Sequence, residues 1–340
     1  MQESVGMIPA LFLCIFSNMS QYNGVKRWTK VNNKTNNLES IWKILPRRIR
    51  ESLIAQIPDE ERLQEIRLRA GQEVLFYCGG QEYTLKPEEC NRITPEEIQE
   101  TIQYATGYSL YAYEQEMKQG YITIEGGHRI GIAGQVIMEQ NGVRNFRYIS
   151  SVNIRVAHQV RGCADAVMPY LMSQDNIYST LIIAPPGCGK TTLLRDLIRQ
   201  IANGCDRLKG KTVGVVDERS ELGGCYLGIR QNDLGIRTDL LDACPKADGM
   251  LMLIRSMGPE VIAVDEIGSI EEVGILQYAM HCGCRMLATV HGENYQEIRG
   301  KPLFEDFFRM QLFERYVVLC RGERIGQLEG IYDHQGTKIY

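Results

Sequence analysis

The chain has 340 residues, 44% of them hydrophobic and 24% charged, the composition of an ordinary globular protein long enough for one large domain or two ordinary ones. Its 38 Lys and Arg against 42 Asp and Glu leave a net charge of −4, which argues against a protein that coats nucleic acid while leaving room for a local basic patch. The 11 cysteines are odd in number and irregularly spaced, and the C-x-C pair Cys282 and Cys284 has no second pair with suitable histidines, so reduced, mostly buried thiols are expected rather than a disulfide framework or a zinc site.

The first apolar stretch, Met7 to Phe16, is about half as long as a membrane-spanning helix and follows only one charged residue, Glu3, so it fits neither a span nor a secretory signal. The polar stretch after it carries Lys26, Arg27, Lys30 and Lys34. Residues 1–37 are expected to be a poorly ordered extension, with Met19 as an alternative start; a weak membrane or partner anchor is the other reading of the apolar run.

From Leu38 to about Val156, short helices and strands mix. Helical spacing runs over Ile41–Gln56 with basic residues on its wet face, and Ile66 and Leu68 alternate with charged neighbours as a half-buried strand over Glu65–Arg69. Val74–Cys78, Gly79-Gly80 and Gln81–Leu85 read as a hairpin. Thr94, Pro95, Glu96 and Glu97 supply an N-cap, a proline at the first helical position and first-turn acids, so a helix is expected over Glu96–Thr106, and another over Ser109–Lys118. Tyr121–Glu125 and Arg129–Met138 form a hairpin across Gly126-Gly127, and Asn141-Gly142 turns the chain into a further strand.

Beyond the connecting stretch Asn153–Ala166, strands and helices alternate. The order is strand Ser179–Ala184, helix Lys190–Ala202, strand Thr212–Asp217, helix Ala247–Met257, strand Val261–Asp265, helix Ile270–His281 and strand Arg285–Val290. Such alternation predicts right-handed βαβ units and a mainly parallel sheet. Arg315–Tyr340 reads as short antiparallel strands with a turn near Asp333–Gly336. The fold class is α/β: a P-loop NTPase domain over 157–340 with a parallel central sheet, preceded by a smaller α+β domain over 38–156.

The chemistry centres on a relaxed P-loop that begins at Ala184-Pro185, with Ala184 where the strict form has Gly, and continues through Pro186, Gly187, Cys188, Gly189, Lys190, Thr191 and Thr192. The buried run Leu181–Ile183 precedes it, and Leu193, Leu194, Leu197, Ile198 and Ile201 follow at helical spacing, so the loop aims backbone N–H groups at one spot on the positive end of a helix. That arrangement attracts a triphosphate: Lys190 would reach the β- and γ-phosphates of ATP, and Thr191 would bind Mg²⁺. Val261–Val264 is a second buried run, ending in Asp265-Glu266. As a neighbour of the P-loop strand it would set Asp265 near Mg²⁺ and Glu266 beyond the γ-phosphate, where a carboxylate orients and deprotonates water. A third strand delivers Asp217-Glu218-Arg219-Ser220-Glu221, from which Glu218 or Glu221 could share the water-activating role. A fourth ends in Thr289-Val290-His291, where Thr289 or His291 could bond the γ-phosphate or the lytic water. Arg230, Arg237 and Arg255 are candidates for an arginine acting on a neighbouring subunit's phosphate, although a structural salt bridge is the simpler reading of each.

Together these pieces resemble the stage III sporulation protein AA family, which is related to the type II and type IV secretion ATPases. The resemblance is carried by Glu65–Arg69, Gly127–Gly131, Gly162–Asp165, the P-loop, Val216–Glu221, Arg237–Asp239, and Arg255–Met257 leading into Pro259–Gly268. It implies a RecA-like, Mg²⁺-dependent AAA-type ATPase, cytoplasmic and peripheral to a membrane-embedded channel assembly between mother cell and forespore, working as a ring, a homo-hexamer. It also implies an acidic box at Asp217–Glu221, a Walker B segment at Val261–Glu266 and a His box at Thr289–His291. The Asp265-Glu266 pair stands where many secretion ATPases have Gly-Glu. Two other readings compete with the motor. One is an ATPase acting on nucleic acid through Arg129, Arg144, Arg147, Arg155 and Arg161; the other is a scaffold that binds nucleotide without hydrolysing it.

Overall fold

The computed structural model describes residues 38–85, 92–139, 142–205, 207–322 and 326–340; the expectations for residues 1–37 and for Asn141 fall outside them. The first half is built on an antiparallel sheet of β1 (Leu63–Arg69), β2 (Leu75–Cys78), β3 (Gln81–Thr84), β4 (Tyr121–Ile124), β5 (His128–Glu139) and β6 (Gly142–Arg155), in the order β3-β2-β1-β6-β5-β4. Alternation sorts its side chains. Ile66, Ile154 and Ile130 lie in register across three strands, as do Leu68, Val152 and Ile132, and both rows are buried. They pack against Ile41 of α1 (Glu39–Ile44), Ile49 and Leu53 of α2 (Arg47–Gln56), and Ile98 and Ile102 of α3 (Pro95–Ala105). Glu65, Arg67 and Arg69 alternate with these residues along β1 and belong to the opposite face.

The helix expected over Ile41–Gln56 is two helices. Pro46 lacks an N–H and its ring forces Leu45 into an extended conformation (φ −86°, ψ 138°), so α1 stops and α2 restarts. The helix start at Thr94 is as expected, with a reciprocal capping box: Glu97 N–H donates to Thr94 Oγ1 at 3.3 Å and Thr94 N–H to Glu97 Oε2 at 3.0 Å. The helix expected over Ser109–Lys118 is a 3₁₀ turn, Leu110–Tyr113, followed by α4 (Glu114–Lys118).

The second half is a seven-stranded sheet of β7 (Thr180–Ala184), β8 (Val213–Asp217), β9 (Thr238–Asp242), β10 (Val261–Val264), β11 (Arg285–His291), β12 (Arg315–Cys320) and β13 (Gln327–Asp333), in the order β9-β8-β10-β11-β7-β12-β13. All neighbours run parallel except the antiparallel pair β12-β13. Strands β7, β8 and β10 are buried at every position because both faces are covered. On one face Ile182, Val215 and Ala263 pack with Leu193, Leu194 and Leu197 of α5 (Lys190–Asn203). On the other, Leu181, Ile183, Ile262 and Val264 pack with Met250 and Leu253 of α6 (Lys246–Ser256) and Leu276 of α7 (Ile270–His281).

Three details depart from the sequence expectation. Strand β9 is absent from the sequence expectation, because Thr238–Asp242 is a short half-exposed edge in which Asp239 and Asp242 break any apolar run or alternation. Strand β12 lies parallel beside β7 rather than in a purely antiparallel tail. Strand β10 is not adjacent to β7: β11 is inserted between them, because the crossover after β10 returns the chain to the gap beside the P-loop strand. Among the described residues, no helix is long and apolar enough to cross a membrane.

The two sheets meet at the β4–β5 turn. Gly126 N–H donates to Gln231 Oε1 at 3.0 Å, and Gly127, at φ +74°, leaves so little room that a Cβ there would sit 3.2 Å from the Gly224 carbonyl. At the same junction, burial and the charge of Asp242 on β9 push Glu116 of α4 up to about 7. A carboxyl raised from an unfolded value of about 4.3 adds stability below that pH and loses it as pH rises through the folded value. Glu116→Gln should therefore raise the melting temperature at pH 8 and lose most of that advantage by pH 5, as thermal unfolding of both proteins across this range will show.

Candidate active site

The P-loop connects the end of β7 to the start of α5. Gly187 and Gly189 hold φ of +76° and +88°, values that side chains resist, and they turn the chain so that α5 begins with no side-chain cap. The first N–H groups of α5 have no intrahelical acceptor and point into the loop, at the positive end of the helix dipole. Pro186 and Gly187 are exposed at the mouth, while Cys188 and Lys190 are buried. The Cys188 carbonyl accepts the Gly326 N–H at 3.1 Å, so the residue that leads into β13 lies against the P-loop. Thr192, the next residue inward, is half-buried, and its carbonyl accepts the Cys163 thiol at 3.5 Å.

Around Lys190 the sequence-selected groups converge. Lys190 Nζ lies 3.0 Å from His291 Nδ1, and His291 Nε2 lies 2.8 Å from Glu266 Oε1. An ammonium donating to Nδ1 matches a ring that carries its proton on Nε2 and donates it to Glu266. Burial lowers the pKa of Lys190, opposed by the nearby charges of Glu266 and Asp265. Thr191 Oγ1 donates to Asp265 Oδ2 at 2.6 Å. Strand β11 therefore separates β10 from β7 without separating their functional side chains, because Thr191 on the first turn of α5 reaches over it.

The interposed strand also contributes a hinge point. The Thr289 hydroxyl is fully buried; it donates to Asp265 Oδ1 and accepts the Glu266 N–H at 2.8 Å. Glu266 stands at φ +54°, a costly conformation for a residue with a side chain, and Lys246 fixes its other backbone group by donating to its carbonyl at 2.6 Å. Lys246 also pairs with Glu272 at 3.0 Å and Glu218 at 3.5 Å. Lys246 was not singled out from sequence; a lysine opening a helix carries no signal by itself.

The acidic loop after β8 is fixed by Asp217, whose carboxylate accepts the N–H groups of Glu221, Leu222 and Gly223 at 2.8, 2.9 and 2.7 Å. Burial outweighs these bonds and raises Asp217 to about 6. Arg195 of α5 ties the loop down from below, donating to the Glu221 and Leu222 carbonyls at 2.6 and 3.1 Å. Within the loop, Glu221 pairs with Arg129 at 3.0 Å and Glu218 faces Lys246, so neither joins the Lys190–His291–Glu266 chain. Arg219 does: its Nη1 lies 2.8 Å from Glu266 Oε2. In the sequence Arg219 stands inside the acidic box, where the acids around it mask its charge.

The other arginines lie elsewhere. Arg237 donates to the Ala202 carbonyl at 2.9 Å, near the last turn of α5 and at the far end from Lys190. Arg230 bonds the Thr238 and Gly235 carbonyls at 3.1 and 3.0 Å. Arg255 is exposed on the last turn of α6. Of the basic residues grouped for nucleic acid, Arg129, Arg144 and Arg161 pair with Glu221, Glu139 and Asp233 at 3.0, 3.1 and 3.0 Å, and Arg155 approaches Glu65 at 4.0 Å. Arg147 lies over the Tyr148 ring at 5.5 Å, and the pairs of Arg129 and Arg161 tie these two side chains to the second half of the chain.

A hydroxyl and a carboxylate, Thr191 and Asp265, offer the oxygen donors that Mg²⁺ takes while leaving other positions to phosphate and water. Among the described residues no group of three or more His, Cys, Asp or Glu is placed to hold a metal, so an ion here depends on the ligand's own oxygens.

A glycine loop at the carboxyl edge of a parallel sheet, followed by a helix and faced by an acid pair one strand removed, defines the RecA-like P-loop NTPase fold. The pilus retraction motor PilT with bound ADP shares it at a TM-score of 0.54 and 17% identity, over 82% of this chain and 77% of that one. The ATPase DotB of Yersinia pseudotuberculosis shares it at 0.54 and 14% identity, over 81% and 76%. Within this fold, the chain belongs to the stage III sporulation protein AA family: the family model described as "Sporulation stage III, protein AA" matches residues 35–339. Stage III sporulation protein AA of Bacillus subtilis (strain 168) is 40% identical over 304 residues, 89% of this chain and 97% of that protein. A protein described as "Uncharacterized protein ycf45" from Porphyra purpurea is 26% identical over 53% of this chain and 31% of its own length.

Because Thr289 Oγ1 serves Asp265 and the Glu266 backbone at once, Thr289→Val leaves a buried N–H unsatisfied and should cost about 1–3 kcal/mol of stability. The measurement is the urea midpoint, expected to fall at unchanged m-value.

Proposed function

We propose that this chain is a Mg²⁺-dependent ATPase whose ring-shaped oligomer energises or assembles a membrane-embedded channel complex in sporulation. The observation that carries this reading is the meeting of Lys190, Thr191, Asp265, Glu266 and His291 at the mouth of one P-loop. Residues Pro186 to Thr192 cradle the phosphates, Lys190 neutralises the β- and γ-phosphates, and Thr191 and Asp265 hold Mg²⁺. When bound, the ion draws charge from the phosphate oxygens. Glu266 is the general base, since it shares contacts with both His291 and Arg219 at the phosphate end. His291 reports the phosphate to Glu266 through its two ring nitrogens. Glu221 and Glu218 act on the loop that carries Arg219 rather than on water directly. Arg237 and Arg255 remain candidates for contacts between subunits.

The family's place in sporulation, and the fold shared with a pilus motor and a secretion-type ATPase, support a ring, proposed here as a hexamer, acting from the cytoplasm on a membrane partner. We take residues 38–156 as one domain and 157–340 as the ATPase domain. The paired arginines of the first sheet favour this motor over an enzyme acting on nucleic acid.

Phosphate release is the decisive assay. Wild type should turn over ATP with Mg²⁺; Lys190→Ala should lose nucleotide binding; Glu266→Gln should still bind and lose about 10²-fold or more in kcat, the usual contribution of a general base. Wild type that binds ATP and never releases phosphate, even with membranes added, would replace the motor by a nucleotide-dependent scaffold. Sedimentation with ATP and Mg²⁺ should give a closed oligomer; a monomer under those conditions would remove the ring.

A further inference from the structure

Glu266 is held at every polar atom. Its N–H goes to Thr289 and its carbonyl to Lys246, so its backbone is fixed in the left-handed region. Its two carboxylate oxygens are taken separately, Oε1 by His291 and Oε2 by Arg219, each at 2.8 Å. Each oxygen already accepts from a protein donor, so a water approaching the carboxylate shares it with His291 on one side and Arg219 on the other. Glu266 is thus held at its backbone by Thr289 and Lys246 and at its carboxylate by His291 and Arg219.

Arg219 is the partner able to leave. Its side chain is 65% exposed, against 24% for Glu266, and its bond to Glu266 is its one hydrogen bond or ion pair among the described residues. Its anchor is rigid: Asp217 accepts three N–H groups of the same loop, Arg195 holds two of its carbonyls, and Ser220 next door sits at φ +52° with its hydroxyl on Asp242 at 2.6 Å. A braced loop thus carries an exposed guanidinium. The contacts Lys190–His291–Glu266–Arg219 form an unbroken line of charged and polar groups, so a phosphate that reaches Lys190 arrives beside the same line and competes for its donors. A guanidinium pairs with phosphate by two parallel hydrogen bonds, which an exposed single contact to a carboxylate does not match.

We propose that Arg219 is a terminal-phosphate switch. With no nucleotide, or with ADP, it stays on Glu266. When a γ-phosphate is bound it moves onto that phosphate, frees Glu266 Oε2 for the lytic water and neutralises charge on the transferring group. The water oxygen then bonds the γ-phosphorus, the bond to the bridging β–γ oxygen breaks, the water proton passes to Glu266, and ADP and inorganic phosphate result. This inference rests on the ATPase reading above and adds a residue of the same chain to the reaction, where sequence considerations looked for an arginine from a neighbour.

The test uses the full chain with Mg²⁺ and compares wild type, Arg219→Ala and Arg219→Lys. Binding of ADP and of the non-hydrolysable analogue AMP-PNP is measured by calorimetry, and phosphate release is measured with ATP. Arg219→Ala should weaken AMP-PNP by about tenfold or more, one charge-assisted contact's worth, while ADP stays within about twofold and certifies the fold. Its kcat should fall by at least about tenfold, with partial recovery in Arg219→Lys. An AMP-PNP to ADP ratio unchanged within about twofold in Arg219→Ala overturns the switch, and so does a kcat that holds or rises. If wild type releases no phosphate, the ATPase reading fails by itself, and the AMP-PNP to ADP ratio still decides whether Arg219 senses the terminal phosphate.

Discussion

The P-loop end of the molecule depends on one buried hydroxyl. Thr289 joins the carboxylate of Asp265 to the backbone of Glu266, and it does so from a strand lying between the P-loop strand and the strand that delivers those acids. Two consecutive acids must diverge if one is to face a metal and the other a phosphate. The left-handed backbone of Glu266 produces that divergence, and it persists only because Thr289 and Lys246 hold both of its backbone groups. From that point outward, His291 and Arg219 set the carboxylate, and Thr191 meets Asp265.

Much of this was legible in the sequence, for identifiable reasons. Buried parallel strands read as continuous apolar runs, so Leu181–Ile183, Val213–Val216 and Val261–Val264 stood out, and the acids or glycines at their carboxyl ends marked the ligand-binding edge. The capped start at Thr94 and the helix Ile270–His281 announced themselves through local chemistry. What stayed hidden depends on spatial order. Sequence gives the succession of strands but not which lies beside which, so the insertion of β11 was not visible. Nor was β9, where Asp239 and Asp242 conceal its pairing with β8. Pro46 was a local signal that the helical spacing around it overrode. Arg219 and Lys246 acquire meaning only from contacts with residues far along the chain.

The two sheets share the acidic loop. Arg129, stacked over Tyr121 at 3.9 Å, reaches from the first sheet to Glu221, while Gly126 and Gly127 press against Gln231 and Gly224 beyond the same loop. The segment that carries Arg219 toward the P-loop is thus braced on its other side by the first half of the molecule. A shift between the halves would move Arg219 relative to Glu266, which ties the geometry of the P-loop end to the position of the first sheet.

The last strand has a different consequence. Strand β13 reverses direction at the border of a parallel sheet, and the chain then folds back along its outer side: Tyr332 pairs with Lys338, Ile339 N–H donates to the Ile331 carbonyl at 2.8 Å, and Ile331 N–H reaches the Tyr340 carbonyl at 3.2 Å. Open strand borders invite a second molecule to extend the sheet, the route by which folded proteins grow into fibres. Here the carboxyl-terminal residues occupy those backbone groups. Thr337, Ile339 and Tyr340 occupy backbone groups of Ile331 and Asp333, so at these positions the border cannot accept a strand from a second copy.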